Sequence, residues 1–378
     1  MSKADIASAA RALREELRAD GYFERRPLRG LAHLFAHLAL TAGGVIGFLA
    51  TESIALRLVA LAVTCFGGVG AGAVGHTASH YALVKGRAAN EALTFFTYPF
   101  FLMLSATYWQ RSHVQLHHPS SNIVGIDDDC DLRPMFALNH EHERTGSWPE
   151  RHRRLFALLL PVILVFNVPS IYLQGIQHVF RELRKEPGRR QPRVLLDAAC
   201  LMLHPVLWLG LPMLWFSPVD VVAIYVLRVA LMGYGLFAIL APGHYPAEAS
   251  CLHTSLRGEN FFVRQTTTTL NFRTSWLGHF LCAGLEYQIE HHLFPAVSHV
   301  HYRALGPRIR AFCEEHGLPH RTLGWGEALW KSWRVFFEPK PVMRLLPASR
   351  TTLREPGDGA LLDGACALRD VRNRHGNA

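Results

Sequence analysis

Long apolar stretches limit the folds that are open to this chain of 378 residues. A bilayer core of about 30 Å is crossed by about 20 helical residues. Four stretches come close to that length or exceed it, namely residues 31–50, 55–75, 195–216 and 219–243. Short turns join the first stretch to the second and the third to the fourth. The sequence therefore predicts an all-α membrane protein with four transmembrane helices arranged as two hairpins.

Three clusters of histidines accompany these stretches. They are His76 and His80; His113, His117 and His118; and Gln288, His291 and His292. Residues four apart lie on one face of a helix, whereas an adjacent histidine points elsewhere. Because imidazole is a preferred ligand of iron, copper and zinc, the clusters predict a metal site assembled from distant segments. The HxxxHH spacing of the second cluster suits two metals, or one metal held from two directions.

A shared metal site restricts the topology. All three clusters must lie on one side of the membrane, so an even number of crossings separates the second cluster from the third. Residues 195–216 and 219–243 already supply two crossings. Residues 155–175, which two prolines and an asparagine interrupt, are therefore expected to be interfacial. The apolar run 92–103 is too short to cross and favours a re-entrant or interfacial segment.

The distribution of charge predicts the orientation. Residues 181–193 carry six Lys or Arg against two Glu, whereas the two tight turns contain Glu52 and Asp220 and no cation. Under the positive-inside rule, the N-terminus, the histidine clusters and the C-terminus are cytoplasmic, in an integral protein of the inner membrane. The predicted parts are a cytosolic N-terminal segment (1–30), a membrane domain (31–325) and a partly mobile C-terminal segment (326–378).

Composition narrows the function classes. The formal net charge of +9 suits an anionic membrane surface, and no motif supports a nucleic-acid partner. The seven cysteines are odd in number and none forms CxxC, which argues against a disulfide framework and a zinc ribbon. A zinc peptidase is disfavoured as well, since HExxH is absent and Tyr287 stands where HxxEH requires its first histidine.

Longer motifs around the histidines resemble those of a known family. The motifs are HTASH at 76–80, WQRSHVQLHHPSSNIVGIDDDCDL at 109–132, RQTTTTLNF at 264–272 and GLEYQIEHHLFPAVSHVHY at 284–302. From about residue 30 to 325 the chain resembles the membrane fatty acid desaturases. It is most similar to their front-end, linoleoyl-CoA desaturase-like bacterial branch, of which the QxxHH form of the last cluster is a marker.

The resemblance implies a fold, a cofactor and a reaction. It implies four transmembrane helices beneath a cytosolic helical cap that holds two iron ions, with O₂ as co-substrate, and the introduction of a double bond into a fatty acyl chain. By position, the implied metal ligands are His76, His80, His113, His117, His118, His244, His291 and His292. Further ligands, or partners that orient these histidines, are expected among Gln288, Asp128, Asp131 and Glu290.

The resemblance also implies partners. The substrate is expected to be an acyl lipid, an acyl-CoA or an acyl-carrier protein, reached at the membrane. No HPGG-type haem motif is present. The electrons are therefore expected from a separate ferredoxin or cytochrome b5-like protein.

Two departures from the family pattern keep other outcomes open. Thr77 stands where the family commonly has Asp, and Val114 where it commonly has Asn. A related di-iron hydroxylase or acetylenase is therefore an alternative. An alternative of another class is a non-enzymatic membrane transporter or scaffold, which would work normally after alanine replacement of His291 and His292.

Other polar residues carry weaker expectations. Structural roles are expected for His33, His37 and His204, and surface or supporting roles for His140, His142, His299 and His301. Arg228 falls in the middle of the fourth stretch, where a charge is expensive. It is expected to serve the function, to snorkel or to pair.

Overall fold

The computed structural model describes residues 3–185 and 192–346. Within these ranges the chain is mostly helical, as predicted. The α-helices are α1 (Lys3–Ala19), α2 (Pro27–Leu49), α3 (Ile54–Ser79), α4 (Arg87–Thr97), α5 (Ala106–Trp109), α6 (His118–Ser120), α7 (His140–Arg144), α8 (Glu150–Leu158), α9 (Leu160–Ile163), α10 (Asn167–Leu183), α11 (Pro192–Pro205), α12 (Pro218–Leu240), α13 (Phe261–Thr268), α14 (Trp276–Cys282), α15 (Gln288–Leu293), α16 (Tyr302–Glu315) and α17 (Trp325–Arg334).

Wider π-helical turns continue several of these helices. They cover Tyr98–Leu102 after α4, Gln110–His117 after α5 and Val206–Gly210 after α11. Tighter 3-10 turns cover Asp128–Cys130, Leu164–Phe166, Pro212–Leu214, Ala241–Gly243, Thr254–Leu256 and His299–His301. Helix α5, the second π-turn and α6 form one continuous helical segment, which carries the second histidine cluster. Such π-turns are frequent at functional sites.

Short strands in the described residues form two parallel pairs. Strand β1 (Cys251–Leu252) pairs with β4 (Val342–Met343), and β2 (Asn271–Arg273) pairs with β3 (Thr322–Gly324). In the registers, Cys251 lies opposite Val342 and Asn271 opposite Thr322. The all-α prediction omits these strands, because strands of two or three residues are too short to show an alternating pattern.

Within the described residues, five helical segments are long and apolar enough to cross a membrane. They are Pro27–Leu49, Ile54–Ser79, Leu160–Leu183, Pro192–Leu214 and Pro218–Gly243. Four of them coincide with the predicted stretches, so the prediction of several apolar membrane helices is confirmed. The segment Leu160–Leu183 overlaps the residues predicted to be interfacial. The number of crossings therefore depends on how this segment lies.

Helices α2 and α3 pack closely because small residues face the neighbouring backbone. A Cβ atom at Gly67 of α3 would lie 2.6 Å from the carbonyl oxygen of His37 in α2. A Cβ atom at Gly44 of α2 would lie 2.7 Å from the carbonyl oxygen of Ala60 in α3. Glycines at such positions let membrane helices approach each other. The contact fixes α3 against α2, and His76 stands in the last turn of α3.

The two largest apolar cores among the described residues lie in different parts of the molecule. One lies among the apolar spans and includes Leu34, Val69, Val74, Leu102, Met232 and Leu236. The other surrounds the third histidine cluster and includes Phe262, Ile289, Phe294 and Ile309. Helix α1, predicted from the rhythm of residues 4–20, is confirmed as a helix. Its buried Ile6, Leu13 and Leu17 belong to the second core.

Residues 326–346 of the predicted C-terminal segment are part of the folded structure. Trp325 Nε1 at the start of α17 donates to the carbonyl oxygen of Ala238 near the end of α12, at 2.7 Å. Strand β4 then pairs with β1. Residues 347–378, where the mobile tail is predicted, lie outside the described residues, as do residues 186–191 of the basic run.

Candidate metal centre

Five buried histidines from all three clusters converge on one region. They are His76, His80, His113, His118 and His291, called here the five-histidine group. One ring nitrogen of each lies within 4.8 Å of a nitrogen of every other. The Nε2 atoms of His76 and His113 are 2.9 Å apart. The Nε2 atom of His118 lies 3.2 Å from that of His113 and 3.1 Å from that of His291.

Three further buried histidines form a second group beside the first. They are His117, His244 and His292, called here the three-histidine group. The ring centroid of His117 lies 4.6 Å from that of His244 and 5.1 Å from that of His292. The two groups meet where the rings of His118 and His292 stack, with centroids 4.3 Å apart. The arrangement therefore has two adjoining centres.

Each pair of adjacent histidines is divided between the two groups. The rings of His117 and His118 are inclined at 87°, and those of His291 and His292 at 84°. Successive helical residues are rotated by about 100° about the axis, so adjacent side chains diverge. Of the two uses left open for HxxxHH, the geometry accommodates the one in which it contributes to two metals.

Different elements deliver the histidines, which explains how distant clusters meet. His76 lies in the last turn of α3, and His80 follows that helix directly. The continuous segment of α5, π-turn and α6 carries the second cluster, and the short helix α15 carries the third. His244 follows the 3-10 turn at the end of α12. The helix ends therefore surround one region.

Two carboxylates hold the remaining nitrogen of two histidines. His113 Nδ1 donates to Asp129 Oδ2 at 2.8 Å, and His117 Nδ1 donates to Asp127 at 3.0 Å. An ionised carboxylate only accepts, so each Nδ1 carries the proton when its aspartate is ionised. Each Nε2 then keeps its lone pair for a metal, which is the usual function of such partners.

Neutral acceptors serve the third cluster in the same way. The Tyr302 hydroxyl donates to the carbonyl oxygen of Val297 at 3.0 Å, and so it accepts from His291 Nδ1, also at 3.0 Å. His292 Nδ1 donates to Gln265 Oε1 at 3.0 Å. Gln265 lies within the RQTTTTLNF motif and Tyr302 ends the last motif. The motifs were the only signal for these residues, whose contacts require the folded chain.

Burial keeps most of these imidazoles neutral. Burial, together with repulsion from neighbouring histidines, holds the pKa well below its ordinary value for His113, His118, His244, His291 and His292. Burial acts in the same direction on His117, but the charge of Asp127 outweighs it and raises the pKa of His117. Neutral imidazole is the form that binds a metal, so most of the site is ready for one.

The carboxylates that contact the histidines differ from those expected. Asp127 is buried and begins a 3-10 turn that directs Asp128 to solvent, while Asp129 returns to the histidines. Asp131 forms an ion pair with Arg133, whose Nε lies 2.8 Å from Asp131 Oδ1. Asp127 and Asp129 therefore replace the expected Asp128 and Asp131. The acidic run pointed to the right segment, and the turn decides which carboxylates face inward.

The other two expected partners are both buried, with different contacts. Gln288 packs against Gly243, the residue before His244, where an added Cβ atom would lie 2.3 Å from Gln288 Cγ, and so it lies beside the three-histidine group. Glu290 instead accepts from Asn271 Nδ2 at 2.7 Å and lies 3.0 Å from His320 Nε2. Glu290 therefore ties α15 to β2, and in the described residues its carboxylate bonds no histidine of either group, which corrects the expectation for this residue.

Seven other histidines for which the sequence predicted a role lie outside both groups. These are His33, His37, His140, His142, His204, His299 and His301. His33 Nε2 and His37 Nε2 lie 2.8 and 3.1 Å from the carbonyl oxygen of Phe280, at the end of α14. His204 Nδ1 lies 3.1 Å from the carbonyl oxygen of Phe100. These contacts satisfy backbone oxygens that helix ends leave without partners.

Arg228 is paired within the protein. Its guanidinium lies 3.8 Å above the ring of Trp208, and its Nη2 donates to the carbonyl oxygen of Phe101 at 3.1 Å. The side chain is buried, so it does not snorkel. Of the three expected outcomes, the structure shows partial pairing, because Nε and Nη1 have no hydrogen-bond partner among the residues that the structure describes.

The sequence model for fatty acid desaturases matches residues 52–324, which is most of the chain. The chain belongs to this family. The predicted family is therefore confirmed.

Individual relatives agree with the family match. The chain is 27% identical to the Delta(5) fatty acid desaturase fat-4 of Caenorhabditis elegans over 68% of this chain and 57% of the relative. It is 23% identical to the Delta(8)-fatty-acid desaturase 2 of Arabidopsis thaliana over 86% of this chain and 73% of the relative. It is 28% identical to the sn-1 linoleoyl-lipid 6-desaturase of a Synechocystis strain over 66% of this chain and 70% of the relative. The chain thus spans less than two thirds of fat-4 and about seven tenths of the other two. The predicted enzyme class, an oxidoreductase of the fatty acid desaturase type, is confirmed.

The residues of both groups fit the iron that the family resemblance implies. Nε2 of His80, His117 and His292 is buried and has no hydrogen-bond partner in the described part of the chain. A buried polar atom without a partner destabilises a fold by about 1–3 kcal/mol. A bound cation removes that cost, and a donor set made only of imidazole suits iron, copper or zinc.

Proposed function

We propose that the chain is an O₂-dependent fatty acyl desaturase that introduces a double bond with the help of two iron ions. The first ion is held by His76, His80, His113, His118 and His291, and the second by His117, His244 and His292. The observation that carries this proposal is the meeting of eight buried histidine rings from distant segments in two adjoining groups.

The chemistry requires a metal. Hydrogen on an unactivated methylene is removed only by an oxidant stronger than any side chain, and iron with O₂ supplies one when bound. The residues of the chain orient that site. Asp127 and Asp129 keep the Nδ1 protons of His117 and His113 in place. Trp109 stacks on His113 at 4.0 Å and shields it from solvent.

The topology we propose has four crossings. The clusters meet in one site, so an even number of crossings separates the second cluster from the third. Three candidate segments lie between them, and one of these does not cross. We assign this position to Leu160–Leu183, because it is the least apolar of the three and a 3-10 turn separates its α9 from α10.

The contacts of Leu160–Leu183 support an interfacial position. Just before the segment, Ala157 accepts from Trp333 of the C-terminal helix. Farther along the segment, Gln174 accepts from the hydroxyl of Tyr108, five residues before His113. These two contacts support a position of the segment on the side that carries the histidines. With the charge distribution, the site and both termini are cytoplasmic, beneath a helical cap at the inner membrane.

An acyl chain is the proposed substrate, and its carrier is an acyl lipid, an acyl-CoA or an acyl-carrier protein. The Synechocystis relative is named for a linoleoyl lipid, which supports the acyl part. A separate ferredoxin or cytochrome b5-like protein supplies the electrons.

Expression in a host of known lipid composition, with products identified by gas chromatography and mass spectrometry, tests the proposal. The wild type is expected to produce new double bonds, and His118→Ala is expected to produce none. His140→Ala, which changes an exposed histidine, is the control and should still produce them. An oxygenated or acetylenic product assigns the alternative di-iron reaction. Full activity of an iron-free preparation would contradict the proposal, and undisturbed function after His291→Ala and His292→Ala would favour a transporter or scaffold.

A further inference from the structure

A buried cation lies against the backbone of one proposed ligand. Lys340 is 1% exposed, and its Nζ donates to the carbonyl oxygens of His244 at 2.9 Å and Ala249 at 2.7 Å. Across residues 3–185 and 192–346 it has no carboxylate partner. An ammonium group enclosed without a counter-ion opposes folding, unlike an apolar side chain of similar length. The ammonium group therefore serves to hold the two carbonyl oxygens, and not merely to fill space in the core.

His244 is the ligand that needs such support. It follows a 3-10 turn rather than lying inside an α-helix, so no helical ladder fixes its position. Its carbonyl oxygen accepts from Asn122 Nδ2 at 2.9 Å as well as from Lys340. The Ser121 hydroxyl lies 3.3 Å from its Nδ1. Its own N–H donates to the carbonyl oxygen of Ala241 at 3.1 Å, and these side-chain contacts, with the Lys340 ammonium among them, add to that single turn.

The backbone around Lys340 is itself held. Lys340 N donates to the carbonyl oxygen of Leu138 at 2.9 Å, and its own carbonyl oxygen accepts from His140 N at 3.0 Å. Two residues later, β4 pairs with β1 at Cys251. The cation is thus presented from a fixed segment. This segment lies beyond residue 324, where the family match ends.

We infer that Lys340 is a positioning residue for the second metal. The segment around β4 carries a cation that holds the His244 backbone, and the C-terminal part of the chain thereby completes the three-histidine group. The inference rests on the proposed function, because it takes His244 as a ligand.

The test uses the full chain, purified in detergent and loaded with ⁵⁷Fe(II), in four forms: wild type, Lys340→Met, His244→Ala and Lys331→Met. Lys331 is the matched control, since it binds Glu248 of the same loop at the surface. The measurements are iron per chain during titration with a chelator and the Mössbauer spectrum of the two sites. We expect one of two irons in Lys340→Met to bind about 10–100-fold more weakly, the range for losing a group that supports a ligand. Excess Fe(II) should restore kcat with KM unchanged.

The outcomes separate this inference from the proposed function. If His244→Ala loses one iron while Lys340→Met binds both as the wild type does, Lys340 has no positioning role. If the wild type binds no iron, or His244→Ala binds both normally, the proposed metal centre itself is contradicted. Should Lys340→Met not fold, Lys340→Gln fills the site without the charge and cannot reach both carbonyls. Wild-type iron affinity in Lys340→Gln would also overturn the inference. If Lys331→Met weakens iron binding as much as Lys340→Met does, the contact of Lys340 with His244 has no specific role, which overturns the inference as well.

Discussion

The two histidine groups are built differently although they touch. The five-histidine group draws on the end of a membrane helix, a continuous helical segment and α15. The three-histidine group has fewer members, and His244 comes from irregular backbone. Its support comes from buried polar side chains, namely Asp127, Gln265 and Lys340. Helical segments carry four of the five members of the first group, whereas in the second group His244 has no such segment and depends on individual hydrogen bonds.

The largest expected difference comes from the adjacent pair His291 and His292. His292→Ala leaves two histidines in its group, so one of the two irons and the activity should be lost. Turnover should fall at least about 100-fold, because losing a group that only supports a ligand already costs about 10–100-fold. His291→Ala leaves four histidines in its group and should keep part of its iron. Iron content and turnover of the two purified variants check this. Equal iron loss in both would show that the groups are equally dependent on each member.

A smaller effect is expected from the two carboxylates. Asp127 accepts from His117 Nδ1 and from the backbone N–H of Asn122 at 2.7 Å and of Asp129 at 3.1 Å. In Asp127→Asn the amide nitrogen would face one of these donors, so iron affinity should fall about 10–100-fold. In Asp129→Asn the iron affinity should fall less, because the Asp129 side chain is 30% exposed and water can replace its carboxylate. Chelator titration of both variants gives the order, and a larger fall in Asp129→Asn would reverse the comparison.

Tyr302→Phe tests how much the five-histidine group depends on one uncharged hydrogen-bond partner. The change removes the hydroxyl between His291 Nδ1 and the carbonyl oxygen of Val297. A typical hydrogen bond contributes about 1 kcal/mol, and the helical support remains, so activity should fall by no more than about 10-fold. Turnover and thermal unfolding of the variant measure this. Complete loss of iron would mean that helices do not suffice for the first group.

The smallest effect is expected at Asp131. Its ion pair with Arg133 is partly exposed, and such pairs contribute about 0–1 kcal/mol. Asp131→Asn should therefore bind iron and turn over like the wild type, within about twofold. The same assays check it beside Asp127→Asn. A loss comparable to that of Asp127→Asn would restore Asp131 as a partner of the histidines.

Much of the architecture could be predicted because its causes are local. Runs of about 20 apolar residues predict membrane helices wherever they occur, and HxxxH spacing predicts paired rings on one face. The acidic run after the second cluster indicated a segment, but not which carboxylates face the metal. A 3-10 turn makes that choice, and it turns Asp128 outward between Asp127 and Asp129.

The sequence by itself determined the membrane character, the family and the clusters that form the site, since each depends on residue type and spacing along the chain. Tertiary structure alone decided how the histidines divide into two groups and which buried groups hold them. Gln265, Tyr302 and Lys340 reach the histidines from 27, 11 and 96 residues away. Hydrogen bonds act over about 3 Å of space, whatever the separation along the chain. Such partners are therefore fixed only when the helices and strands have packed.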